Sequence, residues 1–103
     1  MSELRANVVQ SVLVSNKGTT PKGFIIGEKV LIRTLTYFST GRVVGETGNF
    51  VILEDAAFVA DTGNLTVAIN EGTLSEFCSF NGPLRVNMNN IVDVFHWGHD
   101  LPR

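Results

Sequence analysis

Residues 40–55 constrain the fold more than any other stretch, because they read as two strands turned tightly on each other. Gly41, Val43 and Val44 open the first strand, and Glu46-Thr47-Gly48-Asn49 supplies turn chemistry. Phe50-Val51-Ile52-Leu53 then forms the β-branched and aromatic run that suits a buried sheet. A chain built on such a hairpin must supply further strands to cover it, so the fold class is all-β in the main.

The flanking sequence supplies them. Val30, Ile32 and Thr34 alternate with Leu31, Arg33 and Leu35, with apolar residues on both sides of the strand. Both faces are therefore expected to be covered, one by a barrel interior and one by an appended segment or a neighbouring subunit. Residues 55–60 fade as a strand until Asp61-Thr62-Gly63 breaks it. A short helix is predicted next, capped by Asn64, with Leu65, Ala68 and Ile69 on one face and Gly72 at its end. Residues 74–80 alternate as a short strand, and Asn81-Gly82-Pro83 is a turn. Two more strands follow at 84–88 and 91–97 about Asn89-Asn90.

About five core strands in a small chain predict a strongly bent open barrel, with a helical insertion between the third and fourth core strands. The expected organisation is an N-terminal extension and loop over 1–27, a barrel over 28–97 with an insertion at about 56–82, and a tail over 98–103. Residues 4–14 fit either a helical face or a strand, and four valines among residues 8–14 favour the strand. An open barrel leaves edge strands that must be covered or paired with another copy. Repeated head to tail, such pairing closes a ring.

Composition points the same way. At 103 residues the chain is one domain, and 44% hydrophobic against 17% charged residues is more apolar surface than a small globule hides alone. Net charge −2 removes the general positive field that draws a protein to duplex DNA or anionic lipid, although Lys17, Lys22, Lys29 and Arg33 concentrate in the first third. A single cysteine, Cys78, excludes an internal disulfide and gives no metal-ligand spacing. No stretch reaches the roughly 18 apolar residues of a membrane span. These features predict a cytoplasmic protein.

The order of these elements resembles the Sm and Sm-like family, including its bacterial Hfq branch, and looks closest to divergent members encoded by bacteriophages and cyanophages. The first half-motif is matched by Val30, Ile32, Gly41, Val43, the loop residues Glu46 and Asn49, and the run from Phe50 through Asp55. Val86-Asn87-Met88 with Ile91 has the spacing of the second half-motif, and Val94 falls in the family's last strand. The loop is shorter than the family's and keeps only Asn49 of its base-holding residues, while Asn87-Met88 replaces the usual Arg-Gly.

The resemblance implies a homo-oligomeric ring that binds single-stranded RNA without catalysis. The alternative is a structural or protein-interaction ring of phage origin that has lost the RNA site. Candidate RNA-binding residues are Tyr37, Phe38, Asn49, Arg85, Asn87 and Asn89, which offer ring faces, a guanidinium and amide edges near strand ends and turns. The competing reading makes Tyr37 and Phe38 packing residues and the asparagines turn formers. Candidate interface residues on the edge strands are Leu84, Val86, Met88, Ile91, Val92 and Val94.

Other chemistry is weakly signalled. His96, His99 and Asp100 place three donors in five positions, short of the four ligands of a closed zinc site, so no metal or cofactor is expected. No nucleophile and base share a local signature, and Gly45-Glu46-Thr47-Gly48 lacks the lysine of a phosphate loop. Glu54 and Asp55 are adjacent in a strand, where neighbours point to opposite faces, and are expected to face water rather than work as an acid and base pair. An enzyme is not expected.

Overall fold

A computed structural model describes residues 18–103, and the strand expected at 4–14 lies outside the described residues. The elements are β1 (Lys29–Thr34), β2 (Phe38–Thr47), β3 (Phe50–Asp61), α1 (Leu65–Glu71), β4 (Glu76–Ser79), β5 (Leu84–Asn87) and β6 (Ile91–His96), with a 3-10 turn at Met88–Asn90 before β6. All pairings among them are antiparallel, in the order β4-β3-β2-β1-β6, and β5 also pairs with β3. This is the small, mainly β, open barrel with one helical insertion that the sequence pattern predicts. Among the described residues no helix is long and apolar enough to cross a membrane.

The 40–55 hairpin is the centre of the sheet. Thr47 pairs with Phe50 across Gly48-Asn49, and Gly48 has φ 58° while Asn49 stays at negative φ. A positive φ at the first central residue alone is the pattern of a II′ turn, whose twist matches that of the strands it joins. Farther along, β3 bends at Asp55, which holds φ 52°. Its first half pairs with β5 and its second with β4, and the Phe80 N–H donates to the Ala56 carbonyl at 3.2 Å between the two. β4 and β5 thus act as one interrupted strand running back along β3.

The bend creates two cores. Inside the curve lie Val30, Ile32, Val43, Val51, Leu53, Ala56 and Val86, with Phe24, Phe80, Leu84, Met88 and Ile91 packed against them. On the opposite face Leu31, Val59 and Trp97 are buried among Phe38, Leu65, Ile69, Leu74, Phe95 and Leu101. An appended segment covers that second face, which is why Val30, Leu31 and Ile32 are all buried although consecutive strand residues point to opposite sides.

The cover is α1 and the C-terminal residues. Asn64 caps the helix by accepting from Val67 N at 3.1 Å, and Gly72 ends it at φ 78° with its N–H on Ala68 O. Residues 98–103, expected as a tail, lock this helix to the sheet. Trp97 Nε1 donates to Asp100 O at 3.0 Å, and His99 Nε2 donates to Ile69 O at 2.8 Å. A carbonyl can only accept, so His99 carries its proton on Nε2 when neutral.

Two boundaries differ from the expected ones. Residues 56–61 continue β3 and β4 returns beside them, so the connection that carries the helix is 62–75. Residues 18–27 are packed rather than detached. Thr19 bridges Ile25, Gly27 and Glu28 bond both backbone groups of Val43, and Phe24 enters the inner core.

Candidate nucleic-acid interface

The stretches around Asn49 and Asn87 meet where the β2–β3 turn abuts the end of β5. Asn49 Nδ2 donates to Asn87 Oδ1 at 3.1 Å, and the same oxygen accepts from Asn89 N at 2.9 Å. Asn49 O accepts from Met88 N at 2.8 Å, so the turn also anchors the chain leaving β5. Side chains of this type cap turns readily, and here one amide oxygen serves two donors while the Asn87 amide nitrogen has no partner among the described residues. The Asn49 and Asn87 side chains and the Asn89 backbone N–H therefore form one cluster.

A cation joins them from outside the barrel strands. Lys22 Nζ donates to Asn49 Oδ1 at 3.3 Å, and the Lys22 N–H bonds Glu46 Oε2 at 3.1 Å. The packed turn of residues 20–23, built on Thr20 bonds to Phe24 and Gly23, holds Lys22 there. Arg85 belongs to the same end, because it pairs with Ile52 one row from the Phe50–Asn87 pair, and residues in adjacent rows of a face are within reach of long side chains. Thr47, Gly48, Asn49, Phe50 and Arg85 line an open cleft of about 670 Å³.

Tyr37 and Phe38 lie elsewhere. They stand at the other end of ten-residue β2, about 30 Å along the strand at 3.3 Å per residue. Phe38 packs in the outer core, and Tyr37 meets Phe58 edge to face at 5.0 Å beside an apolar pocket with Phe77 and Cys78. The structure thus unites Asn49, Arg85, Asn87 and Asn89 and separates both aromatics from them. Phe50 is the aromatic that sits at the cluster, 39% exposed. Its phase is readable, since Val51 and Leu53 define the inward positions and Phe50, one residue before Val51, falls on the outward phase with Ile52. Lys22 gave no such signal, because nothing in a polar loop tells where it docks.

The interface candidates divide by direction. Val86 is buried in the inner core and Leu84, Met88 and Ile91 pack against it, whereas Val92 and Val94 are 49% and 42% exposed on β6. β5 and β6 each pair on one side only among the described residues.

The carboxylates are arranged as ion pairs. The positive φ at Asp55 turns it toward the side that Glu54 occupies, so both reach Arg42, Asp55 at 2.5 Å and Glu54 at 3.4 Å, with Arg103 3.6 Å from Asp55. The expectation that Glu54 and Asp55 diverge fails for that reason. The hydrogen bond from Arg42, with the Arg42 and Arg103 charges, holds the Asp55 carboxyl below its ordinary range, and the Asp55 hydrogen bond raises Arg42 in turn. His96 Nδ1 lies 2.9 Å from Glu28 Oε2, while His99 faces the helix, so the two histidines are committed to different partners. Among the described residues no three His, Cys, Asp or Glu side chains converge as metal ligands.

Comparison with protein-family models, with curated proteins and with solved structures finds no match to this chain.

Proposed function

We propose that the chain is an Sm-like protomer that closes into a ring through its edge strands and holds single-stranded RNA, without catalysis, at the Asn49–Asn87 cluster. The observation that carries this reading is the hydrogen bond between Asn49 and Asn87, which brings the two half-motifs into one site. Amides at a turn can read a base edge, and Lys22 and Arg85 bring positive charge to the same end. For the ring, the edges of β5 and β6 that have no partner among the described residues and the exposed valines of β6 support head-to-tail pairing of one protomer's β5 with the next one's β6. An exposed, unpaired Cys78 suits a reducing compartment such as the cytoplasm. A structural ring without RNA is the second reading, favoured by net charge −2 and by Glu46 beside Lys22.

Light scattering coupled to size exclusion tests the assembly. The intact chain should run as a defined oligomer and Val94→Asp as smaller species. Retention of short uridine- or adenine-rich RNA tests the site, and the double substitution Asn49→Ala with Asn87→Ala should abolish it. Unchanged retention by the double variant would remove the site, and an oligomer that retains no RNA would leave the structural ring.

A further inference from the structure

We propose that the outer edge of β4 and the aromatic pocket beside it dock an extended basic segment of a partner protein. The segment adds to the sheet as a strand and lodges an arginine or lysine head among Tyr37, Phe58 and Glu76. This site is separate from the β2–β3 turn and does not depend on RNA binding there. Across the sheet, Ile32, Ser39, Phe58 and Cys78 are successive pairing partners and so share one face. Ile32 and Ser39 are fully buried, whereas Phe58 is 41% exposed and Cys78 is exposed, so a row that begins in the inner core ends at the surface. Phe80, packed against that core, stands 5.2 Å from Phe58, and Tyr37 stands 5.0 Å from it with the ring planes at 86°. Tyr37, Phe58, Phe77 and Cys78 line a pocket of about 420 Å³, with Glu76 among its walls.

Backbone and charge select the occupant. β4 pairs with β3 alone among the described residues, all four of its residues are exposed, and it carries neither the lysine nor the proline that blunts an edge against pairing. An extended segment laid along it gains main-chain hydrogen bonds and sets alternate side chains over the pocket. By alternation Glu76 lies on the side of Cys78 and Phe58, and Asp61, its partner on β3, adds a second carboxylate, whose Oδ1 accepts from Gly63 N. Among the described residues no cation pairs with either: Arg33 is on Asp93, Arg42 and Arg103 are on Asp55, and Lys22 is on Asn49. Ring faces are the negative pole of an aromatic quadrupole, so aromatic walls beside a carboxylate favour a cationic head and disfavour an acidic one. A guanidinium, planar and weakly hydrated, suits them best.

The test is the fluorescence anisotropy of a labelled decapeptide alternating valine and arginine, titrated with the full-length chain at 50 and 200 mM salt, beside the same peptide with glutamate for arginine. The arginine peptide should bind and the glutamate peptide should not, and amide exchange at residues 76–79 should slow on binding. Tyr37→Leu and Phe58→Leu, which keep apolar bulk, should each weaken binding about two- to thirtyfold while Trp97 emission stays that of the folded chain. Glu76→Gln should weaken it by up to about fivefold at the lower salt and by less at the higher. No binding of the arginine peptide, equal binding of both peptides, unchanged affinity in the two leucine variants, or binding that leaves amides 76–79 unprotected would each overturn the site. Slow exchange at 76–79 in the chain alone would overturn it as well. Protection independent of protein concentration would then assign the edge to residues 4–14, and protection that rises with concentration would assign it to a second copy.

Discussion

Replacing Gly41 by Ala tests why the central hairpin opens on glycine. Gly41 is buried in β2, and its backbone has no positive φ, so the requirement is one of space alone. A Cβ at Gly41 would lie 2.8 Å from Leu53 Cβ and 3.2 Å from both Glu54 O and Leu53 Cδ1. Real carbon contacts do not come that close, so β2 and β3 must part where the β2–β3 register already shifts between Thr40 and Arg42. Overpacking of this kind costs about 1 to 3 kcal/mol. Gly45 is the internal control, for it lies in the same strand at negative φ with nothing within 4 Å of its Cβ position. There Ala should be neutral or stabilise by about 0.4 to 1 kcal/mol through the unfolded chain. The assay is urea unfolding followed by Trp97 emission at one fixed protein concentration, because assembly would shift the midpoint. Gly41→Ala should unfold at lower urea than the parent and Gly45→Ala at equal or higher urea, a gap worth at least about 5 °C in melting temperature. Adding Leu53→Ala should not rescue Gly41→Ala, since the nearest offending atom is the Cβ that alanine retains. A Gly41→Ala midpoint at or above that of Gly45→Ala would refute the steric argument.

Trp97 is fully buried in the outer core, so Trp97→Ala should cost about 3 to 5 kcal/mol in the same urea titration, and Trp97→Phe less. His99→Ala removes the hydrogen bond to Ile69 O, and amide exchange should quicken in residues 65–71 while the β2–β3 amides keep their protection. Asp55 has a folded pKa below its unfolded value, so its contribution is present above about pH 4, the unfolded carboxylate value, and fades as pH falls through the folded value. Asn tolerates the same left-handed backbone, so Asp55→Asn isolates the charge. The stability gap between parent and variant, measured by urea midpoint, should be wide at pH 7 and narrow at pH 3, and a gap that widens on acidification would reverse the assignment.

Alternation and turn chemistry made most of the fold legible. The 40–55 hairpin, the double-faced β1 and the helix between Asn64 and Gly72 all follow from local rules that tertiary packing then respects. Asp55 breaks that legibility. A positive φ at a residue other than glycine carries no sequence mark, yet it bends β3 and brings two adjacent carboxylates to one arginine. The same limit applies at the site. Period two places Asn87 outward and Phe50 beside it, and the length of β2 alone separates Tyr37 and Phe38 from Asn49, but nothing local says that the end of β5 meets the β2–β3 turn, or that a loop lysine returns to Asn49. Those are long-range facts, set by how a bent sheet joins distant turns.

Ion pairing reconciles an acidic chain with the cationic site proposed at the β2–β3 turn. Asp55 and Glu54 are held by Arg42 and Arg103, Glu28 lies against His96, and Asp93 is bound to Arg33. Four of the carboxylates are thereby spent beside cations along the middle strands and β6, away from the β2–β3 turn. At the turn itself Glu46 is the acidic neighbour, and it accepts from the Lys22 backbone while the Lys22 ammonium goes to Asn49. Net charge is a sum over the whole surface, whereas a strand of RNA responds to the charges within about a Debye length of roughly 8 to 10 Å. Among the described residues Lys22 and Arg85 stand against Glu46 at this end of the sheet, a balance that favours the proposed RNA reading although the chain as a whole is acidic.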